Sequence, residues 1–439
     1  MKPGVANFLL VLFSVLFAFV LVEGLLRVLP LPDLRVVSAF KNPPWQEWAN
    51  SQWSDPGQEA YRSHPVLGYE HAPLVEMNVP VAEHANGAFR FRTNNLGLRR
   101  NSDTVAQKTS NLFRVLVLGD SQTDGYVDNE ESFCQLLEQS LSTQLAPFGQ
   151  RAEVLNAGVV GYSPAQEFLW YQQHGTELEP DLVLVIFYTG NDVVELRDPS
   201  KPTVDPIRGE AIPPAEEDSP RSVAGPGRFT TPSFLDNIQV IALVRYAIQI
   251  GPLAKPWRRL GLPGHLSEVG GFPVDKVIQV LRACHGCLWQ NLRQAVYARR
   301  HPERSREDLR KVGDIFLRLN QDILGHGSRM AVTVLPSRAR VEPLWANPEL
   351  NKAAALFGME EFDFAFEEEV SSTLVSHLAS VQIPAILLKE PLIAATEIGP
   401  LYYNQDWHLT PLGHQIVANA LEEALGDLGL LPFPVRPNG

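Results

Sequence analysis

The first hydrophobic feature of the chain lies at its amino terminus. Positions 8–22 are apolar except for Ser14, and the run extends over 5–29 when Glu23 and Arg27 are included. Crossing the hydrocarbon core takes about 20 apolar residues, and Glu23 stands one helical turn before Arg27, where the two charges can pair. The pattern predicts a signal-anchor transmembrane helix over 5–29 behind a short cytoplasmic tail, 1–4. A cleaved signal peptide, with Val22-Glu23-Gly24 as a loose small-residue site, and a buried soluble helix are the alternatives. Lys2 favours a cytoplasmic start, although Arg27, Arg35 and Lys41 follow the other end and leave the charge bias even. With so short a leader, the reading places the bulk of the chain outside the cytoplasmic membrane, periplasmic or extracellular.

Residues 30–110 follow as a stretch rich in Pro, Asn and Trp with few sustained periods, expected to be an irregular extension packed on the main domain. Its recognisable pieces are Leu67-Gly68-Tyr69 and Asn94-Asn95-Leu96-Gly97-Leu98-Arg99, in which each Gly suits a turn with positive φ.

The texture changes at Asn111. Short apolar runs at 113–118, 154–155 and 182–187 alternate with helical periods, the first carrying Phe133, Leu136, Leu137 and Leu141, the second spanning 164–175. A strand run with almost no polar residue is covered on both faces, and strands alternating with helices imply right-handed βαβ units around a parallel sheet. The rhythm breaks at Pro199. An insertion over 199–321 opens on a Pro- and acid-rich loop and holds two helix candidates, 234–250 and 274–299. Strand–helix alternation resumes at 331–335, with a helix over 351–380, a strand at 383–388 and a last helix over 411–425. The expected organisation is one α/β domain in two halves, 111–198 and 322–431, around a cap-like helical insertion.

Composition narrows the function classes. Apolar residues at 45% and charged residues at 20% describe an ordinary folded chain. A formal net charge of −13 argues against nucleic-acid binding, which needs clustered Lys and Arg on phosphates. Three cysteines exclude a disulfide-framework miniprotein. Cys284 and Cys287 form a Cys-x-x-Cys pair around His285 on an expected helix. No second pair completes a zinc site, and a local disulfide is the plain reading in an oxidising compartment. Cys134 is expected to be buried.

In an open parallel sheet, reactive groups gather beyond the carboxyl ends of the strands. Four polar motifs fall there: Gly119-Asp120-Ser121, the loop from Asn156 to Gly161, Gly190-Asn191-Asp192, and Asp406-Trp407-His408 before the last helix. A nucleophilic serine needs a base, a group to orient it and donors for an oxyanion. Read singly, each motif also has a plain structural role: Ser121 as a helix cap, Asn191-Asp192 as a turn, His408 as packing at a helix start. His414, inside the last helix, reads as structural.

Together and in this order, the motifs resemble the blocks of the SGNH (GDSL) hydrolases, bracketing about 111–425. Gly119-Asp120-Ser121 resembles the first block, Gly161 closes the second, Gly190-Asn191-Asp192 looks like the third and Asp406-Trp407-His408 the fifth. The apolar leader and the Leu-Gly-Tyr and Asn-Leu-Gly-Leu-Arg pieces resemble membrane-anchored bacterial members. The resemblance implies a flavodoxin-like three-layer α/β/α fold with a central parallel sheet. It implies Ser121 as nucleophile, His408 as general base and then acid, and Asp406 as its orienter. It also implies an oxyanion hole made of the backbone N–H groups of Ser121 and Gly161 with the Asn191 side chain. Asp406 stands two residues before His408, where most members have three, a spacing that some acetyl-transferring relatives share. The implied activity is a serine esterase or deacetylase acting on an acylated carbohydrate or small ester through an acyl-enzyme, with no metal or cofactor. O-acyl transfer to an extracytoplasmic polysaccharide and a non-catalytic surface or assembly protein of the same fold are the alternatives.

Overall fold

The structure is a computed structural model and describes residues 60–198, 201–214, 294–342, 365–404 and 407–432, with the backbone of 268–269 and 272–273 and three isolated positions. The chain divides into two compact units, 1–42 with 216–282, and 43–215 with 283–439. The expected membrane helix (5–29), the helix candidate 234–250, Cys284 and Cys287 lie outside the described residues. Among the described residues no helix is long and apolar enough to cross a membrane.

The described part of the larger unit opens on two antiparallel hairpins: β1 (Tyr61–His64) with β2 (Gly68–His71), and β3 (Glu76–Pro80) with β4 (Ala88–Arg92). The expectation of an irregular extension is therefore corrected for this part of 30–110. Glu76-Met77-Asn78-Val79-Pro80 and Ala88-Phe89-Arg90-Phe91-Arg92 alternate buried apolar and outward polar positions, the period of a half-buried strand. Asn86-Gly87, with Gly87 at φ 69°, closes the loop between them. Tyr61, Leu67, Tyr69, Met77, Val79, Phe89, Phe91 and Leu98 all join the main core, so these hairpins are part of the domain.

Next come β5 (Leu112–Leu118), the one-turn helix α1 (Ser121–Asp124), α2 (Phe133–Leu145), β6 (Arg151–Asn156), α3 (Pro164–Trp170), β7 (Leu182–Tyr188) and the short α4 (Asp192–Glu195). The expected helix over 164–175 is α-helical only to Trp170 and widens into a π-turn over Tyr171–Gly175. A small hairpin of β8 (Thr203–Val204) and β9 (Ala211–Ile212) follows, and in the smaller unit β10 (Glu268–Val269) pairs with β11 (Phe272–Pro273). Then come α5 (Pro302–Gly325), β12 (Arg329–Leu335), α6 (Arg338–Val341), α7 (Phe366–Ser380), β13 (Ala385–Leu387), α8 (Lys389–Ala395) and α9 (Pro411–Asp427).

Strands β6-β5-β7-β12-β13 form one sheet in that order, all pairs parallel. Counted along the chain within this sheet, the order is 2-1-3-4-5, the flavodoxin-like winding. Alternate side chains of each strand face opposite layers. Leu116, Leu118, Val183, Val185 and Val332 pack with Val312, Phe316, Leu374 and Phe168 of α5, α7 and α3. Val115, Val117, Leu184, Ile186 and Ala331 pack with Leu137, Leu141, Leu392, Val417 and Leu421 of α2, α8 and α9. The central sheet is covered by helices on both faces, as expected.

The insertion boundary at 321 is corrected. Helix α5 runs from 302, and its Leu309, Val312, Phe316, Leu319 and Ile323 are buried against the sheet. It is the crossover that leads into β12, so the covering layer demands it even though its first two turns are highly charged. Of the helix candidate 274–299, the described part is helical over 294–300. The described part of the expected helix 351–380 is helical from Phe366.

Candidate active site

The crevice of a 2-1-3-4-5 sheet opens where the chain order reverses, between the carboxyl ends of its first and third strands. Those strands are β5 and β7. Ser121 is the first residue of α1, three residues beyond the end of β5, and Asn191 stands at the N-cap position of α4 just beyond β7. Both motifs therefore flank the switch point.

Asp120 makes the sharp turn possible: its carboxylate accepts the Gln122 N–H at 2.9 Å and caps α1. The preceding Gly119 has no room for a side chain, since a Cβ would lie 2.1 Å from Thr123 Oγ1. The loop after β6 presses on the same helix. Asn156 Nδ2 donates to the Thr123 carbonyl at 2.8 Å, and its Oδ1 accepts the Gly158 N–H at 3.0 Å. A Cβ on Gly158 would stand 2.4 Å from the Asp124 nitrogen, so glycine is what allows the two loops to touch. The loop ends at Gly161, in the left-handed region at φ 73°, which favours glycine.

Asn191 stands beside the same turn, its side chain close enough to hold the Asp120 carboxyl down. The segment carrying His408 is brought in by Gln122. Its Nε2 donates to the Trp407 carbonyl at 3.1 Å and its Oε1 accepts the Leu409 N–H at 3.2 Å. His408 itself stacks on Tyr126, with ring centroids 3.8 Å apart and planes 13° apart, and Tyr126 stacks in turn near Phe89 of β4. The backbone around His408 is held by Tyr403, whose N–H donates to the His408 carbonyl at 2.9 Å and whose hydroxyl donates to the Tyr126 carbonyl at 3.2 Å. Trp407 sits at φ 68°, a costly conformation for a bulky residue that persists where the surroundings over-determine it.

The structure thus draws Ser121, Asn191, His408 and the loop that ends at Gly161 to one four-residue helix. Asp406 lies outside the described residues. Sequence reading did not single out Gln122, Tyr126 or Asn156 as site-builders, although Gln122 directly follows the Gly-Asp-Ser motif and Asn156 opens the second.

Buried carboxyls surround the turn. Burial raises the Asp120 pKa to about 6, against the pull of the Gln122 N–H, the nearby His408 and Asn191. Burial also pushes Asp192 and Glu167 well up, and each feels Asp120 as a further charge that raises it. Desolvation disfavours the ionised form of a carboxyl, and close like charges add to the effect. On the far side of α1, Asp124 is held low. His71 and Arg99 outweigh its burial, with Arg99 Nη1 at 2.8 Å and His71 Nε2 at 3.2 Å.

His414 is buried and accepts the Phe133 N–H on Nδ1 at 3.2 Å. Burial, then Arg99 and His408, lower its pKa to about 3. Cys134 is buried, and burial raises its thiol far above the ordinary range. Among the described residues two groups of side chains converge closely enough to hold a cation, His64–Glu70–His174 and His84–Asp128–Glu131. Neither includes Ser121, Asn191 or His408. In the first, His64 Nδ1 accepts the N–H groups of Val66 and Leu67, which places the ring proton of the neutral imidazole on Nε2.

No family model and no curated sequence relative matches the chain. Among solved structures, the chain is similar to the acetyl xylan esterase AlAXEase at 11% identity, over 71% of this chain and 100% of that one, with a TM-score of 0.35. It is similar to a catalytic mutant of Axe2, an acetylxylan esterase from Geobacillus stearothermophilus, at 10% identity over 73% and 97% of the two chains, with a TM-score of 0.35. It is also similar to the psychrotrophic esterase EstA from Pseudoalteromonas sp., at 9% identity over 72% and 97%, with a TM-score of 0.32.

Proposed function

We propose that the protein is a serine hydrolase of the SGNH type that cleaves carboxylic esters through an acyl-enzyme. The observation that carries this reading is the convergence of the ends of β6 and β7 and of the segment before α9 on the turn that Ser121 opens, at Asn156, Asn191 and Gln122. A merely capping serine would need none of these ties.

In the proposed cycle, Ser121 Oγ attacks the ester carbonyl carbon while His408 takes the hydroxyl proton. The carbonyl π electrons move onto the oxygen, which the N–H groups of Ser121 and Gly161 and the Asn191 side chain receive. Collapse of the tetrahedral adduct breaks the C–O bond, and His408 returns the proton to the leaving alcohol. Water, deprotonated by the same imidazole, then attacks the acyl carbon, the bond to Ser121 Oγ breaks, and His408 returns the proton to that oxygen as the acid leaves. Asp406 is assigned to orient His408. The Tyr126 stack supports that orientation by covering one face of the ring.

An acylated carbohydrate or other small ester is the proposed substrate class, and the apolar run 5–29 supports a single-pass anchor with the hydrolase domain outside the cytoplasmic membrane. The test is release of acetate from acetylated xylo-oligosaccharides and 4-nitrophenyl acetate by the wild type, Ser121→Ala and His408→Ala, repeated with a glycan acceptor. Acetate release abolished in both variants supports hydrolysis. Acyl groups appearing on the acceptor instead mean transfer, and no turnover of any ester by folded wild type overturns the reading. Protection of the domain from added protease in intact spheroplasts would overturn the location.

A further inference from the structure

The oxyanion loop is held from outside the sheet. The peptide that offers the Gly161 N–H is the one joining Val160 to Gly161, and its other polar atom is the Val160 carbonyl oxygen. That oxygen accepts a hydrogen bond from the hydroxyl of Tyr69, a buried residue of β2. In a planar trans peptide the C=O and N–H point in opposite directions, so fixing one aims the other. The next carbonyl, that of Gly161, accepts from Lys201 Nζ, which is buried and ion-paired with Glu195. Two donors thus fix the carbonyls on both sides of Gly161, where positive φ leaves the backbone free to turn.

We propose that Tyr69 and Lys201 are positioning residues for the oxyanion-binding peptide: the Tyr69 hydroxyl aims and polarises the Val160–Gly161 peptide so that its N–H meets the developing oxyanion, and the Lys201 ammonium holds the following peptide in place. This deepens the serine-hydrolase reading and rests on it. A carbonyl that accepts a hydrogen bond makes the N–H of its own peptide a stronger donor, because hydrogen bonds in a chain polarise one another. Burial raises the Tyr69 pKa well above its ordinary value, which keeps the hydroxyl a donor at every working pH. The hairpin that carries Tyr69 therefore serves the reaction as well as the core, and gives the Leu67-Gly68-Tyr69 piece a purpose.

A neighbour supplies the control. Tyr162 is buried, stacks edge-on to Tyr69 at 5.5 Å and donates its own hydroxyl to the Tyr69 carbonyl. Tyr162→Phe removes a buried hydroxyl bond from the same contact without touching the Val160 or Gly161 carbonyls. The experiment uses the full-length protein in detergent, with 4-nitrophenyl acetate turnover, the inhibition constant of an alkyl trifluoromethyl ketone, which binds as a tetrahedral oxyanion adduct, and thermal unfolding. The proposal expects Tyr69→Phe to lower kcat by about tenfold with KM within about twofold, and to weaken the ketone by the same factor. Tyr162→Phe is expected to lower the unfolding temperature comparably and leave both values near wild type. Should Tyr69→Phe not fold, Lys201→Met combined with Glu195→Gln carries the same expectation. Equal losses in the two tyrosine variants, or a Tyr69→Phe enzyme indistinguishable from wild type, would overturn the proposal alone. Absence of turnover and of ketone binding in the wild type would overturn the hydrolase reading and the proposal with it.

Discussion

The carboxamide of Gln122 grips the backbone on both sides of His408, donating to the Trp407 carbonyl at 3.1 Å and accepting from the Leu409 N–H at 3.2 Å. The residue next to the serine therefore sets the position of the histidine, across 285 residues of chain. A change in one motif is transmitted to the other without passing through the substrate.

Gln122→Met keeps the volume and removes both bonds. The expected outcome is a fall in kcat of about 10- to 100-fold with little change in KM, since a misplaced base costs reaction rate more than binding. Steady-state kinetics on 4-nitrophenyl acetate beside circular dichroism of the same sample checks this. A variant with wild-type kcat would mean that His408 is held by its Tyr126 stack and the Tyr403 bonds alone.

Gly158→Ala is expected to destabilise the protein by about 1–3 kcal/mol, because the added methyl meets backbone and not a movable side chain. The intruding contacts are the Asp124 nitrogen at 2.4 Å and the Thr123 carbonyl carbon at 2.7 Å. Urea unfolding measures the change. Gly87→Ala, with nothing within 4 Å of its Cβ but φ at 69°, separates strain at the backbone from steric conflict and is expected to cost less.

Arg99 is the buried partner of Asp124 and also bonds the Asp124, Gly125 and Val127 carbonyls at 3.0 Å each. Arg99→Met leaves the buried Asp124 carboxylate with His71 and Tyr61 alone and strands several carbonyls at once. Losing one member of such a pair typically costs about 3–5 kcal/mol, so the variant is expected to unfold at clearly lower urea. The double variant Arg99→Met, Asp124→Asn should recover part of that loss, because the uncompensated charge is gone.

Acidification is expected to weaken the fold through His414. Its folded pKa is lowered to about 3, against about 6.5 in an unfolded chain. The unfolded state therefore binds the proton first. The stability this group contributes is fully present above about pH 6.5 and is lost as the pH falls towards 3, at up to about 1.4 kcal/mol per pH unit. His414→Gln, which keeps an acceptor for the Phe133 N–H, should flatten the stability–pH slope between those values. An unchanged slope would show that other groups carry the acid sensitivity.

The central layer was legible because its physics is local. Leu182–Tyr188 is seven residues without a charge, as a strand covered on both faces must be, and the motifs sat at strand ends where a doubly wound sheet gathers its chemistry. The hairpins of the extension were missed although Glu76–Pro80 alternates perfectly between exposed and buried, because Pro80 and the surrounding Asn and Pro residues read as loop. The first turns of α5, Pro-Glu-Arg-Ser-Arg-Glu, looked like a solvated insertion; only the buried Leu309, Val312 and Phe316 further on reveal the core helix. The contacts of Gln122 and Lys201 could not be found from the sequence, and Tyr69 stood out only as part of the Leu67-Gly68-Tyr69 piece, without its partner. The backbone groups they bond are 40 to 287 residues away, and a side chain that bonds distant backbone leaves no periodic trace.

The central claim is that Ser121 is an activated nucleophile with His408 as its base. Fluorophosphonate labelling of the full-length protein, read by intact mass and peptide mapping beside Ser121→Ala and His408→Ala, tests it most directly. The account predicts one phosphonate adduct on Ser121 in the wild type, none in Ser121→Ala and labelling at least about a hundredfold slower in His408→Ala, the size of effect expected when a general base is lost. A well-folded wild type that takes no adduct, or takes it on another serine, would contradict it.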